Sequence, residues 1–224
     1  MDPQCQVQPT SKQSPSIPRA CTAPISSKVS GLRIHSVWRP PALLPASFPA
    51  HLSTFYCYTN SNGVEIPLLH RDKVTRVLRQ LDTALRPVVA HFKVRYTVLA
   101  ENHPQEKLAA FTLEVEKLYC VRVRVRNPAC PNDVKKFYAR ETLFALLFHE
   151  LAHVRYMHHG RDFMLLLRDI YRHAAFLGIF QPGEANQIPS CRRWEALIYD
   201  TAGGVSDAEL VALMEESRGC DTPH

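Results

Sequence analysis

Apolar side chains along this chain recur with two rhythms. Between residues 72 and 89, Val74, Val77, Leu78, Leu81, Leu85 and Val88 fall at steps of three and four, the period of a helix with one buried face. Asp72 stands where it can cap that helix. The stretches "KVRYTVLA" (93–100), "KLAAFTLEV" (107–115) and "YCVRVRVR" (119–126) read instead as strands. In the last of them Val121, Val123 and Val125 alternate with Arg122, Arg124 and Arg126, which predicts one face turned inward and the other to solvent. The helical period returns in Leu143, Leu146, Leu147, Leu151 and Val154, and again over about 162–177. Near the end, Ser206 and Glu209 form a capping box ahead of "AELVALMEES", which predicts a short helix after the flexible connection "TAGGVS".

Helix, strands, helix, helix in that order predicts an α+β fold in which a small mixed or antiparallel sheet packs on the helix that starts near residue 141. The 224 residues, 46% of them hydrophobic, suffice for one domain with tails. Residues 1–50 hold nine of the 17 prolines and a single acid, Asp2, with no further Asp or Glu before Glu65. Such a segment has too little apolar surface to order itself, although an organellar transit peptide shares its composition. The expected organisation is therefore a mostly disordered leader at 1–64, a folded domain at 65–180, and a C-terminal tail with a short helix at 181–224. "VWRPPALLPASF" (37–48) could still pack locally on the domain.

No run approaches the 18 or more apolar residues of a membrane span, and no apolar signal core opens the chain. A soluble intracellular protein is expected, in the nucleus or cytoplasm rather than the mitochondrion. Seven cysteines, at 5, 21, 57, 120, 130, 191 and 220, include no C-x-x-C pair. They read as reduced thiols, neither a disulfide framework nor a cysteine zinc site.

The segment "ETLFALLFHELAHVRYMHHGRDF" (141–163) changes the picture, because it sets four histidines in a strongly apolar run. Imidazole and carboxylate groups are costly to bury unless paired or coordinated. His149 and His153 are four apart and stack on one helix face, so two imidazole nitrogens can converge on one ion. Glu150 points beside that pair, where it can hold a water as general base without ligating the metal. This is the H-E-x-x-H arrangement of zinc peptidases. A catalytic zinc usually takes a third protein ligand, and His158 and His159 are both candidates. Gly160 directly after them suits a helix C-cap or a turn, so the chain can swing one of the two back; spacing alone does not choose between them.

The segment resembles the WLM family of zinc metallopeptidases, whose signature is H-E-L-A-H, five residues, a third His, then an aromatic four residues on. His149, Glu150, Leu151, Ala152, His153, His159 and Phe163 match it. Upstream, "VRYTVLAENHP" (94–104) resembles the family's strand ending in Leu-x-Glu-x-x-Pro, and "CVRVRVRN" (120–127) its Arg-x-Arg strand. The chain departs from the family at Val154, Met157, His158 and Gly160, where Asn, Gly, Pro and Asp are usual, and lacks a Gly-rich centre in "LAAFTLEV". YgjP-type peptidases share the His spacing, and SprT-type proteases the His-Gly-x-x-Phe motif matched by His159, Gly160 and Phe163.

The resemblance implies a compact zincin-like domain, Zn2+ held by His149, His153 and His159, and Glu150 as catalytic base of an endopeptidase. It also implies a polypeptide substrate running along an edge strand, for which the arginine strand is the candidate, its other reading being a half-exposed strand protected from aggregation by charge. Removal of proteins crosslinked to DNA, with DNA and SUMO or ubiquitin pathway proteins as partners, is the implied role. The formal charge of +6, with Arg122, Arg124, Arg126, Lys135, Lys136 and Arg140 before the metal helix, suits DNA, and the aliphatic run followed by acids at 210–216 could imitate a SUMO-binding segment. Tyr156 and Tyr171 are candidates for stabilising the oxyanion. The alternative function is a non-catalytic zinc-containing interaction module, against which an intact Glu150 speaks, since a structural site needs no base.

Overall fold

Valine-rich segments pair around the centre of the molecule. The computed structural model describes residues 50–182 and 193–218. It contains strands β1 (His51–Ser53), β2 (Cys57–Thr59) and β3 (Glu65–Pro67), helix α1 (Arg71–Phe92), strands β4 (Val98–Glu101), β5 (Ala110–Val115) and β6 (Leu118–Val123), and helices α2 (Arg140–His153), α3 (Arg161–Phe176), α4 (Arg193–Asp200) and α5 (Asp207–Arg218). A 3-10 turn at Val134–Lys136 precedes α2. The main sheet has the order β1-β4-β6-β5, and β2 and β3 form a separate hairpin. β4 runs parallel to both β1 and β6, while β5 is antiparallel to β6, so the sheet is mixed.

The sheet divides its side chains as the pleat requires. Leu99, Val121 and Val123 join the helices in one core with Leu78, Leu85, Phe144, Phe148, Leu167 and Tyr171, whereas Val98, Ala100 and Cys120 form a small cluster of their own. The fold is α+β, with β5 and β6 packed on α2.

Several boundaries differ from the sequence reading for identifiable reasons. Folded structure begins upstream of residue 65, because β1 adds a parallel strand beside β4. It continues past 180, because Trp194, Ile198, Tyr199 and Leu210 of α4 and α5 enter the core. The expected tail therefore contributes two packed helices, and of the leader expected at 1–64 residues 1–49 lie outside the described residues. Asp72 is not the cap of α1; His70 is, and Asp72 sits in the first turn, where its charge still complements the helix dipole. Lys93, in left-handed conformation, ends α1 with its N–H on the Val89 carbonyl. The aliphatic run at 210–213 is helical with Leu210 buried, so it presents no extended strand of the SUMO-binding kind.

The arginine strand departs furthest from expectation. β6 lies inside the sheet, not at its edge. Arg126 is 0% exposed; its Nε lies 2.5 Å from the Glu101 carboxylate and its Nη1 donates to the carbonyls of Leu69 and Pro131 at 2.7 and 2.9 Å. Arg124 is buried and donates to the carbonyls of Leu108, at 3.0 Å, and Glu106. Buried cations need such partners, because desolvation otherwise exceeds what the charge gains. These arginines hold loops to the sheet and are not available to a ligand.

Candidate metal centre

Helix α2 is apolar almost all round: Leu143 through Phe148, Leu151 and Ala152 are buried. Only a helix covered on several sides can carry such a sequence, and here the sheet and α3 cover it. His149 and His153 emerge at its C-terminal end. The helix stops at His153, and the chain turns back through 154–160 to enter α3. Gly160 is the N-cap of α3 and not a C-cap; α2 ends earlier, at Val154. That return brings His159 to the other two.

The three imidazoles face one another. His149 Nε2 lies 3.1 Å from His153 Nε2 and 2.9 Å from His159 Nε2, and their ligand atoms all fall within 4.8 Å of each other. Beneath them Phe163, fully buried, sets its ring 4.6–5.0 Å from all three. His158 is exposed to solvent and outside the cluster.

What the far side of each ring touches decides what the near side can do. His149 Nδ1 is 2.7 Å from Glu195 Oε1, and His153 Nδ1 is 3.1 Å from the Tyr156 carbonyl. Both partners only accept, so both Nδ1 atoms carry a proton, and each ring in its neutral form presents its Nε2 lone pair to the common centre. Lone pairs gathered at such distances repel unless a cation lies between them, and an all-imidazole set suits zinc. Burial together with the neighbouring His149 pushes the His153 imidazole down to about 4, so it stays neutral and ready to ligate.

Glu150 points elsewhere. Its carboxylate is almost fully buried and accepts from Thr112 Oγ1 of β5 at 2.8 Å. Burial pushes this carboxyl up to about 7, against the opposing pull of His149 and the Thr112 hydroxyl. A carboxyl poised near neutrality can both take and return a proton. Tyr171, by contrast, is no oxyanion donor: it is 1% exposed and wedged between Phe148, Phe180 and Tyr199 in the core. Thr112 and Glu195 were invisible to the motif, since they lie 38 and 46 residues from their partners.

A family model for the WLM domain matches residues 65–184. The chain belongs to the WLM family. WLM proteins are typically zinc metalloproteases, so membership makes zinc the metal to test against the histidine cluster and a polypeptide the class of substrate. Two crystal structures of Wss1 from Saccharomyces cerevisiae are similar to it. A mutant form is 13% identical, with 58% of this chain and 95% of that one covered and a TM-score of 0.45. Another Wss1 structure is 14% identical, with 62% and 97% covered and a TM-score of 0.45. No curated protein matches the sequence. The WLM match spans α1 to α3 and stops before α4 and α5.

Proposed function

We propose that this WLM protein is a zinc-dependent endopeptidase in which His149, His153 and His159 hold the metal and Glu150 is the general base. The observation that carries this is the convergence of three histidine Nε2 atoms, with Glu150 adjacent to His149 on the same helix and its buried carboxylate held by Thr112. Zinc, when bound, supplies Lewis acidity that polarises a carbonyl and eases deprotonation of water. The chain supplies the rest. Glu150 takes the proton of the attacking water and returns it to the leaving amine. Thr112 fixes the orientation of that carboxylate from β5, the terminal strand of the sheet. The outer edge of β5 has no strand partner among the described residues, so its main chain can pair with an extended polypeptide. A purely structural site would leave the buried Glu150 unexplained.

Protein held on DNA is the substrate that the charge distribution favours. Lys93, Arg95, Lys117 and Arg155 line a cleft of about 430 Å³ that also touches Val154, next to His153, and no acidic residue lines it. Lys135, Lys136 and Arg140 are exposed as well. These cations, not the buried Arg124 and Arg126, are the ones that can meet phosphates. Such a substrate belongs to the repair of DNA–protein crosslinks, in the nucleus. The deciding experiment assays the full chain on an unfolded polypeptide after chelation and after zinc is restored. Cleavage that disappears and returns supports the reading; cleavage indifferent to zinc, or none in the zinc-loaded chain, overturns it.

A further inference from the structure

Helix α4 buries Trp194, Glu195, Ile198 and Tyr199, positions one, four and five apart that form a single face. Three of the four are aromatic or aliphatic. The fourth is a carboxylate, at a place where an apolar residue would be the ordinary choice. Its Oε1 meets His149 Nδ1 at 2.7 Å. Trp194 packs edge-on to Phe163, the ring beneath all three histidines, with centroids 6.4 Å apart. These two contacts of the helix end lead to the metal centre.

The helix is also held in place from behind. A Cβ at Gly203 would stand 2.4 Å from the Arg168 carbonyl and 2.7 Å from the Arg172 amide, so the α4–α5 turn lies directly on the backbone of α3. Arg172 donates to the carbonyls of Gly203 and Val205 at 3.1 and 3.2 Å. Arg168 spans Asp169 and Asp207, which ties the start of α5 to α3. Helix α3 itself begins just after His159 and carries Phe163. The α4–α5 unit is therefore pinned to the element that completes the histidine cluster, although it lies outside the stretch that matches the WLM domain.

We propose that Glu195 is a positioning residue of the metal centre. Its carboxylate holds the proton of His149 on Nδ1 and sets the ring plane, so that Nε2 faces His153 and His159. Metal binding and docking of the α4–α5 unit are then coupled, and by reciprocity each strengthens the other. This rests on the reading that the three histidines hold zinc.

The test uses the full chain as wild type, Glu195→Ala and Glu195→Gln, with folding checked by circular dichroism. Zinc affinity is measured by competition with a chromogenic chelator, and the visible spectrum is recorded with Co2+ in place of zinc. Hydrogen exchange over residues 193–218 is followed with and without metal. Glu195→Ala should bind zinc about 10- to 100-fold more weakly, the usual effect of losing a ligand-orienting group, and should show an altered Co2+ spectrum. Glu195→Gln, whose amide oxygen can still accept from Nδ1–H, should recover part of the affinity. Zinc should slow exchange in α4 of the wild type and less so in Glu195→Ala. A Glu195→Ala chain with wild-type affinity and spectrum overturns the inference and leaves the zinc site standing, as does a variant that only melts earlier. A wild-type chain that takes up no zinc overturns both.

Discussion

The Thr112 hydroxyl lies 2.8 Å from the Glu150 carboxylate and 3.0 Å from the main-chain carbonyl of the same residue. One hydroxyl of the edge strand thus faces both the helix turn and the acid that it carries, its single proton shared between the two oxygens. Burial holds the Glu150 carboxyl near 7 and the Thr112 bond works against that rise. The ionised form, which accepts the proton, gains population as pH rises through this value. Thr112→Val removes the hydroxyl at nearly constant volume and pushes the carboxyl further up. The acid limb of kcat/KM should then move to higher pH, by about one unit if the bond is worth the ~1.5 kcal/mol of a charged hydrogen bond. A pH–rate profile that superimposes on the wild type would rule out this role.

Glu150→Gln separates metal binding from chemistry. The amide keeps the volume and can still meet Thr112, but it takes no proton. Zinc content and unfolding temperature should stay near wild type while hydrolysis falls at least about 10²-fold. Atomic absorption on the protein used for the assay checks the first half, and cleavage of an unfolded polypeptide the second.

His158 and His159 are neighbours in sequence and opposites in environment. His159 sits 2.9 Å from His149 and over Phe163, whereas His158 is exposed. His159→Ala should abolish tight zinc binding, and His158→Ala should leave it within about twofold, an ordinary surface substitution. Chelator competition on the two variants decides, and reversed behaviour would place the third ligand wrongly.

What could be read from sequence follows the range of each interaction. The His149–Glu150–His153 spacing is a property of one helix, so the motif carries it whole. The histidine that joins them depends on a loop, and spacing left two options until the family register was applied. Thr112 and Glu195 reach the site across the fold, and nothing local marks either one. The valine–arginine alternation at 121–126, which runs past the end of β6, turned the valines inward as predicted, but the arginine face it assigned to solvent is covered, with Arg124 and Arg126 buried. β1 and β5 flank the strand pair, and the loop carbonyls of Leu69, Glu106, Leu108 and Pro131 close over Arg124 and Arg126.

The buried ion pair of Glu101 and Arg126 has an energetic consequence. Glu101 and Arg126 are both 0% exposed and bonded to each other. Removing one partner leaves a buried charge alone, at about 3–5 kcal/mol, while replacing both by apolar residues restores much of the loss. Arg126→Met and Glu101→Leu should each lower stability on that scale in urea unfolding, and the double variant should be more stable than either. Additive losses would show that the two groups act separately.

DNA dependence is the prediction that reaches furthest from the active site. Formal charge +6 makes weak binding to any polyanion unremarkable, with affinities of about 10⁻⁴ to 10⁻⁶ M, so binding alone decides nothing. The cleft of Lys93, Arg95, Lys117 and Arg155 makes a sharper claim, because it adjoins the end of the metal helix. A duplex or single strand seated there would hold its bound protein near β5. Cleavage of one basic protein should therefore rise when DNA is added, and the gain should shrink between low and physiological salt as counterions compete. Lys93→Glu with Lys117→Glu should remove the gain while leaving DNA-free cleavage of an unfolded peptide unchanged, since neither lysine touches the histidine cluster or Glu150. Equal rates with and without DNA in the wild type would eliminate the crosslink-repair role and leave a zinc peptidase whose substrate is chosen by other means. A DNA gain that survives the double substitution would move the nucleic-acid contact to another face, with Lys135, Lys136 and Arg140 the next cations to reverse.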